Sequence, residues 1–199
     1  LKHLAVLVFL FTFLISSFLL AVNKFPEIIP NRVDTWTNRI ENFVNNDIDD
    51  TTSYQINRAK AAIANGKIFG VGAGKSSMKY VLPQSTSDFI FSIIAEEYGI
   101  IVSLIILLLY VVLLFRIIIT SYRSETKFGQ LVSVAVGIPV VFQAFTNMAV
   151  AVQLIPVTGQ PLPLVSTGGT SIWITFLAMG ILLSVSKNNL KYNTVAIDD

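Results

Sequence analysis

The chain has 199 residues, of which 13% are charged and 53% hydrophobic, and it contains no cysteine. An ordinary soluble domain carries roughly 25% charged residues, so a water-soluble globule is disfavoured, and the apolar content exceeds what one core of this length needs to bury. The missing thiols exclude disulfide frameworks, thiolate metal sites and cysteine nucleophiles, and a net charge of +2 without a basic stripe gives no case for nucleic acid as a partner.

From Leu4 to Val22 only Thr12, Ser16 and Ser17 are polar, and about 19 such residues cross a bilayer core of roughly 30 Å as a helix. Lys2-His3 has the charge of a signal-peptide start, but Ala21-Val22-Asn23-Lys24 offers no small-residue cleavage site. The first residue is Leu rather than Met, which reads as a piece of a longer chain. Further apolar runs extend from Phe89 to Ile119, from Phe128 to Ile155 and from Ser171 to Val185. The expected fold is all-α, a polytopic membrane helix bundle with about four transmembrane helices, at 1–22, 88–119, 128–155 and 171–186. Lys2, the group Arg116, Arg123 and Lys127, and the pair Lys187 and Lys191 then share one face, which the excess of Lys and Arg marks as cytoplasmic. The connection 120–127 and the tail 187–199 are assigned to that side, and the long segment 23–87 and the connection 156–170 to the extracytoplasmic side.

Within 23–87, the spacing of Trp36, Ile40, Phe43 and Val44 predicts a short amphipathic helix on the membrane surface over Asp34 to Val44, with Asp34 or Thr35 as its N-cap. Asn45 to Thr52 is polar and turn-rich. Its Asp47, Asp49 and Asp50 have the opening spacing of a calcium loop but lack the required Gly and the Glu at the twelfth position, and a solvated turn is the simpler reading. Tyr54 to Asn65 regains helical spacing through Ile56, Ala59, Ala62 and Ile63, with Gly66 as the expected C-cap. Gly70-Val71-Gly72-Ala73-Gly74-Lys75-Ser76 ends as a P-loop does, but Phe69 stands where the first Gly belongs and no strand precedes it. Two readings remain: a plain loop, or a loop whose amides, with Lys75 and Lys79, meet a lipid-linked phosphate.

Asp88 stands where the long segment meets the second apolar run. A poorly hydrated carboxylate there suits proton transfer, while an N-cap role accounts equally well for Ser87-Asp88 before apolar residues. Glu96 and Glu97 lie 8 and 9 residues further along, about 12 to 14 Å by the helical rise, where an acidic pair should face protein or a wet cavity. Adjacent helical residues point about 100° apart, so the two are expected to differ in importance, with Glu96 facing the polar cavity. Leu154 to Ser171 is too rich in Pro and Gly to be helical throughout, which predicts a re-entrant lining. Ser166 within it is no triad nucleophile, because the only histidine is His3, on the opposite face.

Several motifs succeed one another in a specific order: Tyr54-Gln55, Phe69-Gly70-Val71-Gly72-Ala73-Gly74, Leu82-Pro83-Gln84, Ser87-Asp88-Phe89-Ile90-Phe91, Glu96-Glu97-Tyr98-Gly99, and the whole of Leu154 to Ser171. Together, over about Trp36 to Ser186, they resemble the SEDS (shape, elongation, division and sporulation) family, which includes FtsW and RodA. Gln84 replaces the Glu of many members, Ser87 a Thr and Thr167 a Tyr, a pattern compatible with an FtsW-like, division-type member. The resemblance implies a larger bundle in the bacterial cytoplasmic (inner) membrane that polymerises lipid II into peptidoglycan glycan strands during cell division. It implies a class B penicillin-binding protein, other divisome membrane proteins and membrane lipid as partners, with this chain as the C-terminal part, inactive by itself.

The resemblance further implies that Asp88 is the catalytic residue and that a divalent cation, Mg or Mn, is held at Asp88. In physical terms Asp88 is the candidate general base for the acceptor sugar's 4-hydroxyl, and inversion at the donor's anomeric carbon needs no covalent intermediate. Lys75, Lys79 or Arg39 would offset pyrophosphate charge, and Gln55, Ser87, Glu96 and Ser166 complete the expected substrate-binding set. The rival readings are a lipid II flippase, with a polar path through Glu96, Glu97, Asn147 and Gln153, and a non-catalytic scaffold for a penicillin-binding protein.

Overall fold

The computed structural model describes residues 9–10, 12–13, 16–17, 39, 50–82 and 86–195. The chain divides into two compact units, Leu1–Asp47 and Ile48–Asp199. The described positions of the first unit are helical, and Thr12 Oγ1 donates to Phe9 O at 2.9 Å. The rest of the expected 1–22 helix, the surface helix over 34–44 apart from Arg39, and Asp47 and Asp49 of the acidic turn lie outside the described residues, as do Pro83, Gln84 and Ser85.

The second unit is all-helical among the described residues: α1 (Asp50–Gly66), a 3-10 turn (Met78–Tyr80), α2 (Ile90–Arg123), α3 (Lys127–Ala151) and α4 (Gly169–Val195). α1 begins about a turn before the apolar spacing that announces it, and its stripe of Ile56, Ala59 and Ala62 is buried, with Ala59 packed among Phe89, Ile93 and Val150. On its other face the Arg58 guanidinium sits 4.9 Å from the centre of the Tyr54 ring, an (i, i+4) pair. Gly66 is not the left-handed residue that ends this helix. Lys67 takes that conformation, with φ 46°, while Gly66 lets two backbones touch: a Cβ there would run into the Ala95 carbonyl and stand 2.8 Å from Glu96 Cα.

α2, α3 and α4 are each long and apolar enough to cross a membrane. They turn Leu104, Leu108, Phe142, Trp173 and Phe176 outward, all more than half exposed, a surface that suits hydrocarbon and not water. The inner faces meet in two clusters, Phe91, Tyr110, Ala144, Met148, Ala151 and Leu162 at one end, and Ile117, Val141 and Leu182 further along. Gly137 lets α3 settle against Ile117, whose side-chain carbons would be 2.6 to 2.9 Å from any Cβ at that position. The α2–α3 turn is closed by Thr126, whose hydroxyl accepts from Gly129 N at 3.1 Å as the N-cap of α3.

The helix bounds depart from the apolar runs. α2 continues to Arg123, and α4 starts at Gly169 and continues to Val195. α3 stops at Ala151 instead of 155, because Gln153 turns left-handed with φ 59° and Leu154 N closes back on Ala149 O at 2.8 Å. The larger departure is inside α2, which is not one continuous helix. Gly99, at φ 82° and ψ −179°, breaks it, and the freed backbone groups are taken up by the preceding loop: Val71 N donates to Glu96 O and Gly72 N to Glu97 O, both at 2.9 Å, and Ile100 N donates to Lys67 O at 3.0 Å. Only Gly fits there, since a side chain would be strained at this φ and its Cβ would strike Ile68 O and lie 2.6 Å from Gly70 N.

Candidate functional site

The site is built where residues 86–88 cross the non-helical stretch 152–168. Asp88 directly precedes α2 but does not cap it: the N-cap position is Phe89, with no side-chain cap bond. The N-cap reading of Asp88 is thereby overturned. Its Oδ1 accepts from Ser87 Oγ at 2.7 Å, and its Oδ2 looks toward Gly159, where a Cβ would stand 3.6 Å away. Gly159 is itself left-handed, with φ 71°, which suits glycine and keeps a side chain from covering the carboxylate.

The stretch beneath Asp88 is held by side chains reaching from the helices. Asn147 Nδ2 donates to Asp88 O at 2.8 Å and to Gln160 O at 2.7 Å. Gln143 Nε2 donates to Pro161 O at 2.9 Å, and the Tyr110 hydroxyl donates to Pro163 O. Ser166 Oγ accepts from Leu162 N at 2.7 Å and donates to Ser87 O at 2.6 Å, and both Thr167 N and Thr167 Oγ1 donate to Thr86 O. Irregular backbone beside membrane helices is tolerable when protein groups satisfy it, and here they join 86–88 and 158–168 into one surface.

Of the residues expected to bind substrate, Ser87 and Ser166 are thus brought to Asp88, with the Ser166 hydroxyl buried and engaged on both sides. Glu96 and Glu97 do differ: Glu96 is buried and Glu97 half-buried. Glu96 does not open onto a cavity but accepts from Ser76 Oγ, from Ser77 Oγ at 3.0 Å, from Met78 N at 3.3 Å and from Asn65 Nδ2 at 3.5 Å. Lys75 and Lys79 are exposed on the segment so held. The glycine loop is a different matter, because the amides of Gly70, Val71, Gly72 and Lys75 donate to Gly66 O, Glu96 O, Glu97 O and Gly72 O, so these four do not cradle a phosphate. Gln55 is half-buried on α1, 11 residues before Gly66 and therefore about 16 Å along the helix axis from it. Arg39 is a half-buried helical residue of the first unit.

Asn147, which the sequence placed only on the polar path of the flippase reading, and Gly159, within the Leu154 to Ser171 motif, are site residues absent from the expected substrate-binding set. A lone carboxamide inside an apolar run was the available signal. Asn147 is 1% exposed, and its Oδ1, like Ser92 Oγ and Thr158 Oγ1, is buried with no hydrogen-bond partner. Among the described residues no group of three or more His, Cys, Asp or Glu is placed to hold a metal ion. The single carboxylate of Asp88 is too few protein ligands for a self-sufficient cage, and a cation there would have to be a hard ion that keeps most of its water.

A family model described as cell cycle protein, FtsW/RodA/SpoVE, matches residues 2–191. The probable peptidoglycan glycosyltransferase FtsW of Enterococcus hirae is 41% identical over 69% of this chain and 35% of its own length. Stage V sporulation protein E of Bacillus subtilis (strain 168) is 39% identical over 68% and 37%, and the probable peptidoglycan glycosyltransferase FtsW of Hydrogenovibrio crunogenus is 38% identical over 79% and 39%. Among solved structures, a chain from "Structural coordination of polymerization and crosslinking by a peptidoglycan synthase complex" superposes with a TM-score of 0.65 and 26% identity over 94% of this chain and 49% of that one. The chain thus spans between a third and two fifths of the curated relatives it matches. It is a membrane protein and a member of the SEDS family, the FtsW/RodA/SpoVE cell cycle proteins.

Proposed function

We propose that the chain is the C-terminal part of a peptidoglycan glycosyltransferase of the FtsW type, which polymerises lipid II in the bacterial cytoplasmic membrane beside a class B penicillin-binding protein. The observation that carries this reading is the carboxylate of Asp88, released from helix capping, oriented by Ser87 Oγ and left uncovered by Gly159. The names of the relatives and of the solved complex support the same reading. The distribution of Arg116, Arg123 and Lys127 supports placing the Asp88 end of the bundle outside the cell.

In this reaction the acceptor's 4-hydroxyl gives its proton to the Asp88 carboxylate while its oxygen bonds to the donor's anomeric carbon. The bond from that carbon to the diphosphate breaks, and its electron pair leaves with the polyprenyl diphosphate. One displacement inverts the centre, and a positioned general base contributes about 10²- to 10⁴-fold. Lys75 and Lys79 supply positive charge toward the diphosphate. A divalent cation at Asp88 would add charge neutralisation when bound. A groove of about 520 Å³ between α3 and α4 suits an amphiphilic substrate, since Gln143, Gln160, Thr170 and Ser171 line its loop end and Val136, Val140 and Ile181 its deeper part.

The test uses a full-length protein carrying this sequence, reconstituted in liposomes with lipid II. Glycan polymer is the expected product, lost in Asp88→Asn, which keeps the size of the side chain but not a basic carboxylate. Lipid relocation without polymer would replace this reading with a flippase, and neither outcome would leave a scaffold.

A further inference from the structure

Glu96 is 1% exposed, and every hydrogen bond to its carboxylate comes from one contiguous stretch of chain, residues 65–78. Its main chain holds the same stretch, through Glu96 O and the neighbouring Glu97 O, which accept from Val71 N and Gly72 N. The bonds are relayed outward: Ser76 Oγ, which donates to Glu96, accepts from Lys79 N at 3.0 Å. A buried carboxylate is tolerable only with several good donors, and here those donors are serines and amides flanking two exposed lysines. Between these contacts the stretch has almost no apolar anchorage, with Phe69 81% and Ile68 57% exposed, so burial of its own side chains does not fix it.

We propose that Glu96 is a positioning residue that acts through Lys75 and Lys79: it clamps the 65–78 stretch to the first turns of α2, the helix that Asp88 precedes, and so fixes the two ammonium groups relative to the carboxylate. This inference rests on the reading of those lysines as partners of the substrate's diphosphate. It replaces direct contact between Glu96 and substrate with a contact through the loop.

The experiment is a mutant cycle in the reconstituted full-length protein, with a spin label on Ala73→Cys, an exposed loop position, in a background without other cysteines. Glu96→Gln keeps the side chain's shape and one acceptor oxygen, so the helix contacts survive while one pair of donors loses its partner. The label is expected to become mobile in Glu96→Gln, and kcat/KM for lipid II to fall about 10-fold with normal thermal stability. In a Lys75→Ala/Lys79→Ala background, adding Glu96→Gln is expected to cost less than a further 2-fold, because the groups it positions are already gone. A full additional 10-fold loss in that background overturns the proposal, as does an immobile label in Glu96→Gln. Wild-type kcat/KM in Lys75→Ala/Lys79→Ala alone overturns instead the diphosphate reading on which it rests.

Discussion

Asn147→Leu removes the carboxamide that ties the start of α2 to the loop below it while filling a similar volume. Two part-buried carbonyls, Asp88 O and Gln160 O, then lose donors at 2.8 and 2.7 Å. Each abandoned acceptor that water cannot reach costs roughly 1 to 3 kcal/mol. Against this, the substitution also removes Oδ1, which has no partner, and that offsets about 1 kcal/mol of the same kind. The net loss is about 1 to 5 kcal/mol, enough to lower the melting temperature of the purified protein in detergent by several degrees. Activity should suffer more than stability, because the released backbone is that of the catalytic candidate itself, and a displacement of about 1 Å costs roughly 100-fold in rate. Thermal melting monitored alongside lipid II polymerisation checks both. Asn147→Leu with wild-type melting and wild-type polymer yield would refute the view that this carboxamide holds Asp88 in place.

Gly99→Ala should destabilise by about 2 kcal/mol or more, combining a left-handed φ with collisions at Ile68 O and Gly70 N, whereas Gly180→Ala, with nothing within 4 Å of its new Cβ, should be neutral or slightly stabilising. Equal melting temperatures for the two variants would contradict the break in α2. A cysteine replacing exposed Gln160 should react with an impermeant thiol reagent in intact cells, and one replacing exposed Glu125 only after permeabilisation; Ser124 is unsuitable for this purpose, being 4% exposed. Labelling of the Glu125 variant alone in intact cells would invert the proposed orientation.

The three later apolar runs were legible as membrane-length helices because hydrocarbon leaves few alternatives, and the stretch after α3 was legible as non-helical from its Pro and Gly. Asp88 stood out as a carboxylate at a boundary, but whether it capped the helix was decided by one residue of register, which Phe89 took. The break at Gly99 was hidden, since a single Gly within an apolar run costs a helix only about 1 kcal/mol, and the groups that stabilise the break belong to Lys67, Val71 and Gly72, far back in the sequence. The C-cap part expected of Gly66 falls to Lys67 for a similar reason: close approach to Ala95 requires the missing side chain at 66, so the left-handed turn moves one residue on. The alternating glycines suggested an anion cradle, and the long-range pairing with α2 takes two of the amides in that loop while local turns take two more.

The interruption at Gly99 also changes what the bilayer meets. From Ile100 to Ile119 the helix has 20 residues without an acidic group, about 30 Å of rod at the usual rise and enough for the hydrocarbon by itself. The turns carrying Glu96 and Glu97 therefore need not be counted in the span, and the cost of sinking two carboxylates into lipid does not arise. Gly99 thus divides the lipid-spanning rod from the short helical stub above it, and the same loop holds both sides of the division, through Ile100 N on the rod and Glu96 O and Glu97 O on the stub that Asp88 precedes.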